Sequence, residues 1–208
     1  TLSAENISET SDAGTYTISG TATDGNYEVV QFNTGTYTIT PRQVEIQFAL
    51  PYDEGAETIT YSGTEKEVTA EVSGTVNGDV ITAEVTYNTD DKSAPVNVNA
   101  DGYTATATLS GKKANNYYVT STGSGTAEDE YVYLRYAEQD FTIAKANLTV
   151  ETYETDGTVV YGDVAVFGYE ITGFVNDETE SVLEGKIGYT TNYEPGAESG
   201  AAGGAYAV

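Results

Sequence analysis

The chain repeats itself, and that constrains its fold more than any other feature. Phe141-Thr142-Ile143-Ala144-Lys145-Ala146-Asn147-Leu148-Thr149-Val150 echoes Tyr37-Thr38-Ile39-Thr40-Pro41-Arg42-Gln43-Val44-Glu45-Ile46 at an offset of 104 residues. Asn116-Tyr117-Tyr118-Val119 echoes Asn26-Tyr27-Glu28-Val29 at an offset of 90, and Gly173-Phe174-Val175-Asn176-Asp177-Glu178 echoes Gly74-Thr75-Val76-Asn77-Gly78-Asp79 at an offset of 99. Self-similarity at a long period marks an array of modules, each packed against its neighbours. On that period residues 43–146 form one complete repeat. Residues 1–42 are the C-terminal part of a preceding repeat, and residues 147–208 the N-terminal part of a following one.

The two partial segments, 42 and 62 residues long, together make one 104-residue repeat in permuted order. Two explanations stay open at this level. The chain is a window on a longer tandem protein, with Thr1 in place of an initiator methionine marking a processed or excised segment. Alternatively, residues 147–208 of one molecule complete residues 1–42 of the next, a head-to-tail contact that builds an open filament by strand addition. No Gly/Ser-rich or Pro-rich linker follows Pro41-Arg42 or Lys145-Ala146, which predicts stiff junctions between repeats.

Within the repeats the pattern is that of strands. Tyr16–Thr23 and Tyr103–Leu109 alternate threonine with small or apolar residues, and Glu67–Val72 and Val80–Tyr87 do the same with β-branched residues. Asn77-Gly78-Asp79 between the last two is a turn signal, because Asn and Gly accept positive φ cheaply. Asp24-Gly25-Asn26 and Gly111–Asn116 punctuate the matching place in two repeats. Short strands with Gly/Asn turns every 8–12 residues or so predict an all-β chain of sandwiches. Asp177–Val182 is the one candidate for a helical turn.

Composition narrows function by exclusion. With 33 acidic and 8 basic residues the formal charge is −25, which repels nucleic acid and anionic membrane surfaces. No apolar stretch approaches the length of a membrane span. Cysteine, histidine, methionine and tryptophan are absent, so there is no disulfide, no thiol nucleophile and no histidine base for a triad. Lacking the oxidation-prone Cys and Met suits a chain that lives outside the cell.

The acidic runs Asp90-Asp91, Glu128-Asp129-Glu130 and Asp177-Glu178 lack EF-hand spacing, and neighbouring acids on a strand face opposite ways. They read as solvated charge, with no metal site, no cofactor and no glycosidase pair singled out. Tyrosine is the main aromatic, at 18 residues. Most of these read as bulky fillers for a sheet of small Thr and Ala side chains. The exception weighed is Tyr131-Val132-Tyr133-Leu134-Arg135-Tyr136, in an inserted segment spanning 123–136. Tyr131, Tyr133, Arg135 and Tyr136 form a possible contact surface, since aromatics and Arg dominate binding hot spots.

Asp12-Ala13-Gly14-Thr15-Tyr16-Thr17-Ile18, Ile59-Thr60-Tyr61-Ser62-Gly63-Thr64 and Val160-Tyr161-Gly162-Asp163 recur in an order that resembles MBG and YDG-type Ig-like modules of long bacterial surface proteins. The resemblance covers essentially the whole chain. It departs at Ser62, where the family motif has aspartate, and at Ala201–Tyr206, where the D-A-G-T-Y signature is blurred. It implies tandem Ig-like β-sandwich domains and an extracellular, cell-surface location. It carries no catalytic residue, so no enzyme is expected. Some domains of this general kind hold Lys–Asn or Lys–Asp isopeptide bonds, for which Lys66, Lys145 and Lys186 are the lysines near strands. The function this implies is a structural stalk or filament segment whose partners are flanking repeats or copies of itself. The alternative is an adhesin module that binds host glycan, mucin or protein through exposed tyrosines.

Overall fold

The structure, a computed structural model, describes residues 2–3, 8–20, 23–24, 26–28, 30–31, 33–122, 132–155, 158, 160 and 166–185. The chain is all-β, built of small and mostly antiparallel sheets, consistent with the sandwich class. It divides into two compact units. The first holds the described residues of 1–59, 65–95 and 99–142, and the second those of 60–64, 96–98 and 143–185.

The first unit begins with β1 (Leu2–Ser3), β2 (Gly14–Gly20), β3 (Thr23–Asp24), β4 (Tyr27–Glu28) and β5 (Gly35–Ile39). It continues with β6 (Arg42–Gln43), β7 (Glu45–Ala49), β8 (Thr69–Ser73), β9 (Thr82–Tyr87) and β10 (Tyr103–Ser110). After a 3-10 turn at Ala114–Asn116 come β11 (Tyr117–Tyr118), β12 (Thr120–Thr122), β13 (Val132–Leu134) and β14 (Tyr136–Phe141). β7 and β8 pair antiparallel, while β10 runs antiparallel between β9 and β14. Alternation explains the middle strand: Ala105, Ala107 and Leu109 are buried, with the threonines between them turned to the other face. Small alanines leave room for rings, and Tyr87 meets Phe141 edge-on at 6.3 Å while Tyr103 lies 5.8 Å from Phe141. The core proper gathers Val44, Ile81, Leu109, Ala114 and Tyr117, with Ile46 of β7 and Val72 of β8 packed against it.

Asn77-Gly78 is the expected turn, with both residues at positive φ (59° and 72°) and the Asp79 N–H donating to the Val76 carbonyl at 3.0 Å. It does not close a hairpin. β8 pairs with β7 and β9 pairs with β10, so the turn carries the chain from one sheet to the other.

The second unit contains β15 (Thr149–Glu154) and β16 (Phe167–Thr172), an antiparallel pair. Its register, Thr149 opposite Thr172, repeats that of Glu45 opposite Ser73 in β7–β8, at offsets of 104 and 99. The later turn repeats as well: Asn176 and Asp177 stand at φ 53° and 58°, and Glu178 N–H donates to Val175 O at 3.0 Å. Left-handed backbone at Asn176 and Asp177 keeps any helix from starting there. In the candidate segment 177–182 the helical backbone is one 3-10 turn, Glu180–Val182. Thr60 pairs with Ala144 in a parallel bridge, and Ile143 beside it is buried.

Candidate functional site

Several specific polar contacts of the structure join residues far apart in the chain. In the first unit, the stretch before β2 lies against the turn 74–79 and the 3-10 turn of the following repeat. Asp12 Oδ1 receives both the Lys113 ammonium and the Asn116 amide, the latter at 2.8 Å. Asn116 Oδ1 in turn accepts from the Ala13 N–H at 2.8 Å. Asn77, held in its left-handed conformation, donates through Nδ2 to the Glu9 carbonyl at 3.0 Å. Lys113–Asp12 is the one ion pair among the described residues. Asn116 first, and Lys113 after it, hold the Asp12 carboxyl below the usual carboxylate range, and Asp12 raises the Lys113 ammonium.

Tyr117 pins the 76–79 turn from inside. Its ring is 1% exposed, and its hydroxyl donates to Asp79 Oδ2 at 2.7 Å while accepting from the Val76 N–H at 3.1 Å. Burial raises the phenol. β11, which carries Tyr117, runs parallel to β6, with Tyr117 opposite Arg42.

The second unit rebuilds part of this arrangement from the matching residues. Asn176, at the position of Asn77, donates through Nδ2 to the Gly63 carbonyl at 3.2 Å. Gly63 stands at φ 70°, and a Cβ there would fall 2.4 Å from that of Asn176, so only glycine admits the contact. Glu178, at the position of Asp79, also accepts a tyrosine hydroxyl, but from Tyr61 in the preceding repeat. That hydrogen bond raises the Tyr61 phenol. Beside it lies an apolar groove of about 220 Å³ lined by Tyr61, Leu148, Phe174, Val175, Val182 and Leu183. This is below the roughly 300–1,000 Å³ of small-molecule sites and suits a few side chains.

The residues singled out as a contact surface do not share one strand. Tyr131 lies outside the described residues. Tyr133 sits on β13 with its ring 4.8 Å from that of Tyr118. Arg135 falls in a one-residue break, where its carbonyl accepts the Leu109 N–H at 2.8 Å. Tyr136 opens β14 opposite Thr108 and is exposed. The break transfers the chain from pairing with β12 to pairing with β10.

Of the acidic runs, Asp91 accepts from the Ser93 N–H and hydroxyl, which hold it low, and Glu128-Asp129-Glu130 lies outside the described residues. Among the described residues no three acids gather as a metal site would require, and no helix is long and apolar enough to cross a membrane. Lys66 is buried, and its side chain makes no hydrogen bond or ion pair among the described residues. Lys145 is exposed, and Lys186 lies outside the described residues. No protein-family model, curated protein or solved structure matches this chain.

The Asp12–Lys113–Asn116 cluster was not singled out from sequence. Its members are about a hundred residues apart, and the available signal was that each belongs to a recurring motif.

Proposed function

We propose that this chain is a structural segment of a bacterial extracellular stalk or filament, in which successive Ig-like repeats are held in register by their junctions. The observation that carries this reading is the junction itself. One repeat is fastened to the next by Asp12, Ala13 and Glu9 on one side and by Lys113, Asn116 and Asn77 on the other. A direct junction of this kind transmits orientation where a linker would lose it. The strong net negative charge keeps neighbouring fibres apart, and the absence of Cys and Met suits an oxidising exterior. The likeness to MBG and YDG-type modules supports the surface location.

A chain without native cysteine is convenient for the test. Spin labels at Thr38→Cys and Glu71→Cys, both exposed and on successive repeats of the first unit, should give a narrow distance distribution. Asp12→Ala combined with Asn77→Ala should broaden it. A broad distribution in the otherwise unaltered chain would end the spacer reading. Protease shaving of intact source cells tests the surface location.

The second reading, an adhesin contact, rests on exposed Arg135 and Tyr136. Binding to a glycan array or to mucin that disappears with Arg135→Ala and Tyr136→Ala would favour it.

A further inference from the structure

The second unit holds half of the arrangement that is whole in the first. Val44 is 2% exposed because Leu109, Ala114 and Tyr117 cover it, whereas Leu148, its counterpart in the following repeat, is 37% exposed. Val182 and Leu183, which come after the 176–177 turn and line the groove, are also exposed. Val44 and Ile81 lie under a segment running from β10 through Tyr117. The described part of the second unit contains no segment of that kind.

A matching segment exists near the other end of the chain. β2 and β5 pair with Tyr16 opposite Tyr37, as β10 and β14 pair with Tyr103 opposite Phe141. Phe141 is 7% exposed, but Tyr37 is 50% exposed. Tyr27, the counterpart of Tyr117, is 82% exposed. Its strand β4 pairs with β3 in a two-residue antiparallel contact, and not with a parallel partner such as β6. The first unit therefore presents a matching pair of strands with Tyr27 and Tyr37 exposed, while the second presents the kind of face that such strands cover in the first.

We infer that the apolar groove of the second unit is an acceptor for β2, β4 and β5 of a second copy of this chain. Tyr27 enters beside Leu148, Val182 and Leu183, and its hydroxyl takes over Glu178 from Tyr61, reproducing the Tyr117–Asp79 bond. Tyr27-Glu28 aligns parallel to Ala146-Asn147 as Tyr117-Tyr118 aligns to Arg42-Gln43 in β6. Strand addition of this kind takes affinity from backbone pairing and specificity from the inserted side chain. Donor and acceptor are different surfaces, so the contact is heterologous and propagates. The groove's size favours side chains over a small molecule. The inference deepens the spacer reading by naming the partner.

The test is light scattering on the intact chain across concentration, with negative-stain microscopy at the highest. The native chain should grow in steps of 22.0 kDa. Tyr27→Asp disables the donor and Leu148→Asp the acceptor, and each alone should weaken association by at least about 100-fold by placing a charge in an apolar contact. An equimolar mixture of the two variants should form a 1:1 dimer, since each retains the surface the other has lost. Circular dichroism matching the native chain checks that each variant is folded. A native chain that stays monomeric, variants that assemble like the native chain, or a mixture that does not pair would each overturn the inference. A monomer whose Thr38–Glu71 spin-label distribution remains narrow would remove copy addition and leave the spacer reading standing.

Discussion

Tyr117 and Tyr27 occupy the same place in two copies of one repeat, and almost everything about them differs. Tyr117 is enclosed by Val44, Ile81, Leu109 and Ala114, with its hydroxyl bound to the 76–79 turn. Tyr27 stands in the open beside β3. Their local sequences are alike, so the difference comes from what the rest of the fold brings against them. Tyr117 is a structural plug because apolar residues enclose it, and Tyr27, with 82% of its surface exposed, is not.

The largest break in that comparison is to remove both rings in turn. Tyr117→Ala empties a buried aromatic site and unpairs Val76 N–H and Asp79, so urea unfolding should show a loss of about 3–5 kcal/mol. Tyr27→Ala, measured on dilute monomer, should stay within about 0.5 kcal/mol. Equal losses would mean that Tyr27 is already covered and would undo the comparison.

A smaller effect is expected at the two asparagines. Asn77→Ala and Asn176→Ala each lose a hydrogen bond and force an alanine into left-handed backbone, with an expected cost of about 1–2 kcal/mol apiece. Glycine at either site should recover the backbone part and leave only the lost bond. If the two positions differ widely, the second unit's turn is not equivalent to the first.

The smallest effect separates the junctions by pH. Asp12 has a lowered folded pKa, so its contribution is present above the ordinary carboxylate value of about 3.9 and fades as pH falls through the lower folded value. Lys113 has a raised folded pKa, so its contribution is present below about 10.4 and fades as pH rises through the higher folded value. The spin-label distribution across the first junction should therefore be narrowest between these limits. Lys113→Ala should flatten the alkaline side and reduce the salt dependence expected of an exposed pair. Width that ignores both pH and salt would show that Asn77 and Asn116 hold the junction without the ion pair.

Much of the fold was legible in the residues. Alternation in Tyr103–Leu109 gave the middle strand, because period-two burial leaves a direct trace. Asn77-Gly78 gave a turn whose echo at Asn176-Asp177 has the same backbone. What that turn connects was not legible. A turn signal reports local dihedral preference, whereas strand pairing depends on the competing edges of β7 and β10. The break at Arg135 escaped for the same reason: its neighbours have the composition of one strand, and only the offer of two partners, β12 and β10, divides them. Val132–Leu134 and Tyr136 therefore belong to two pairing environments and do not form one strand face.

By itself the sequence determined the all-β class, the period and the kinds of turn, since these rest on local preferences that travel with the residues. Tertiary structure alone decided which tyrosines are plugs, and that Asp12 meets Lys113 and Asn116 across about a hundred residues. It also decided that Glu178 takes its hydroxyl from Tyr61. Burial and pairing are properties of what lies opposite a residue, and repeats with similar local sequences meet different opposites.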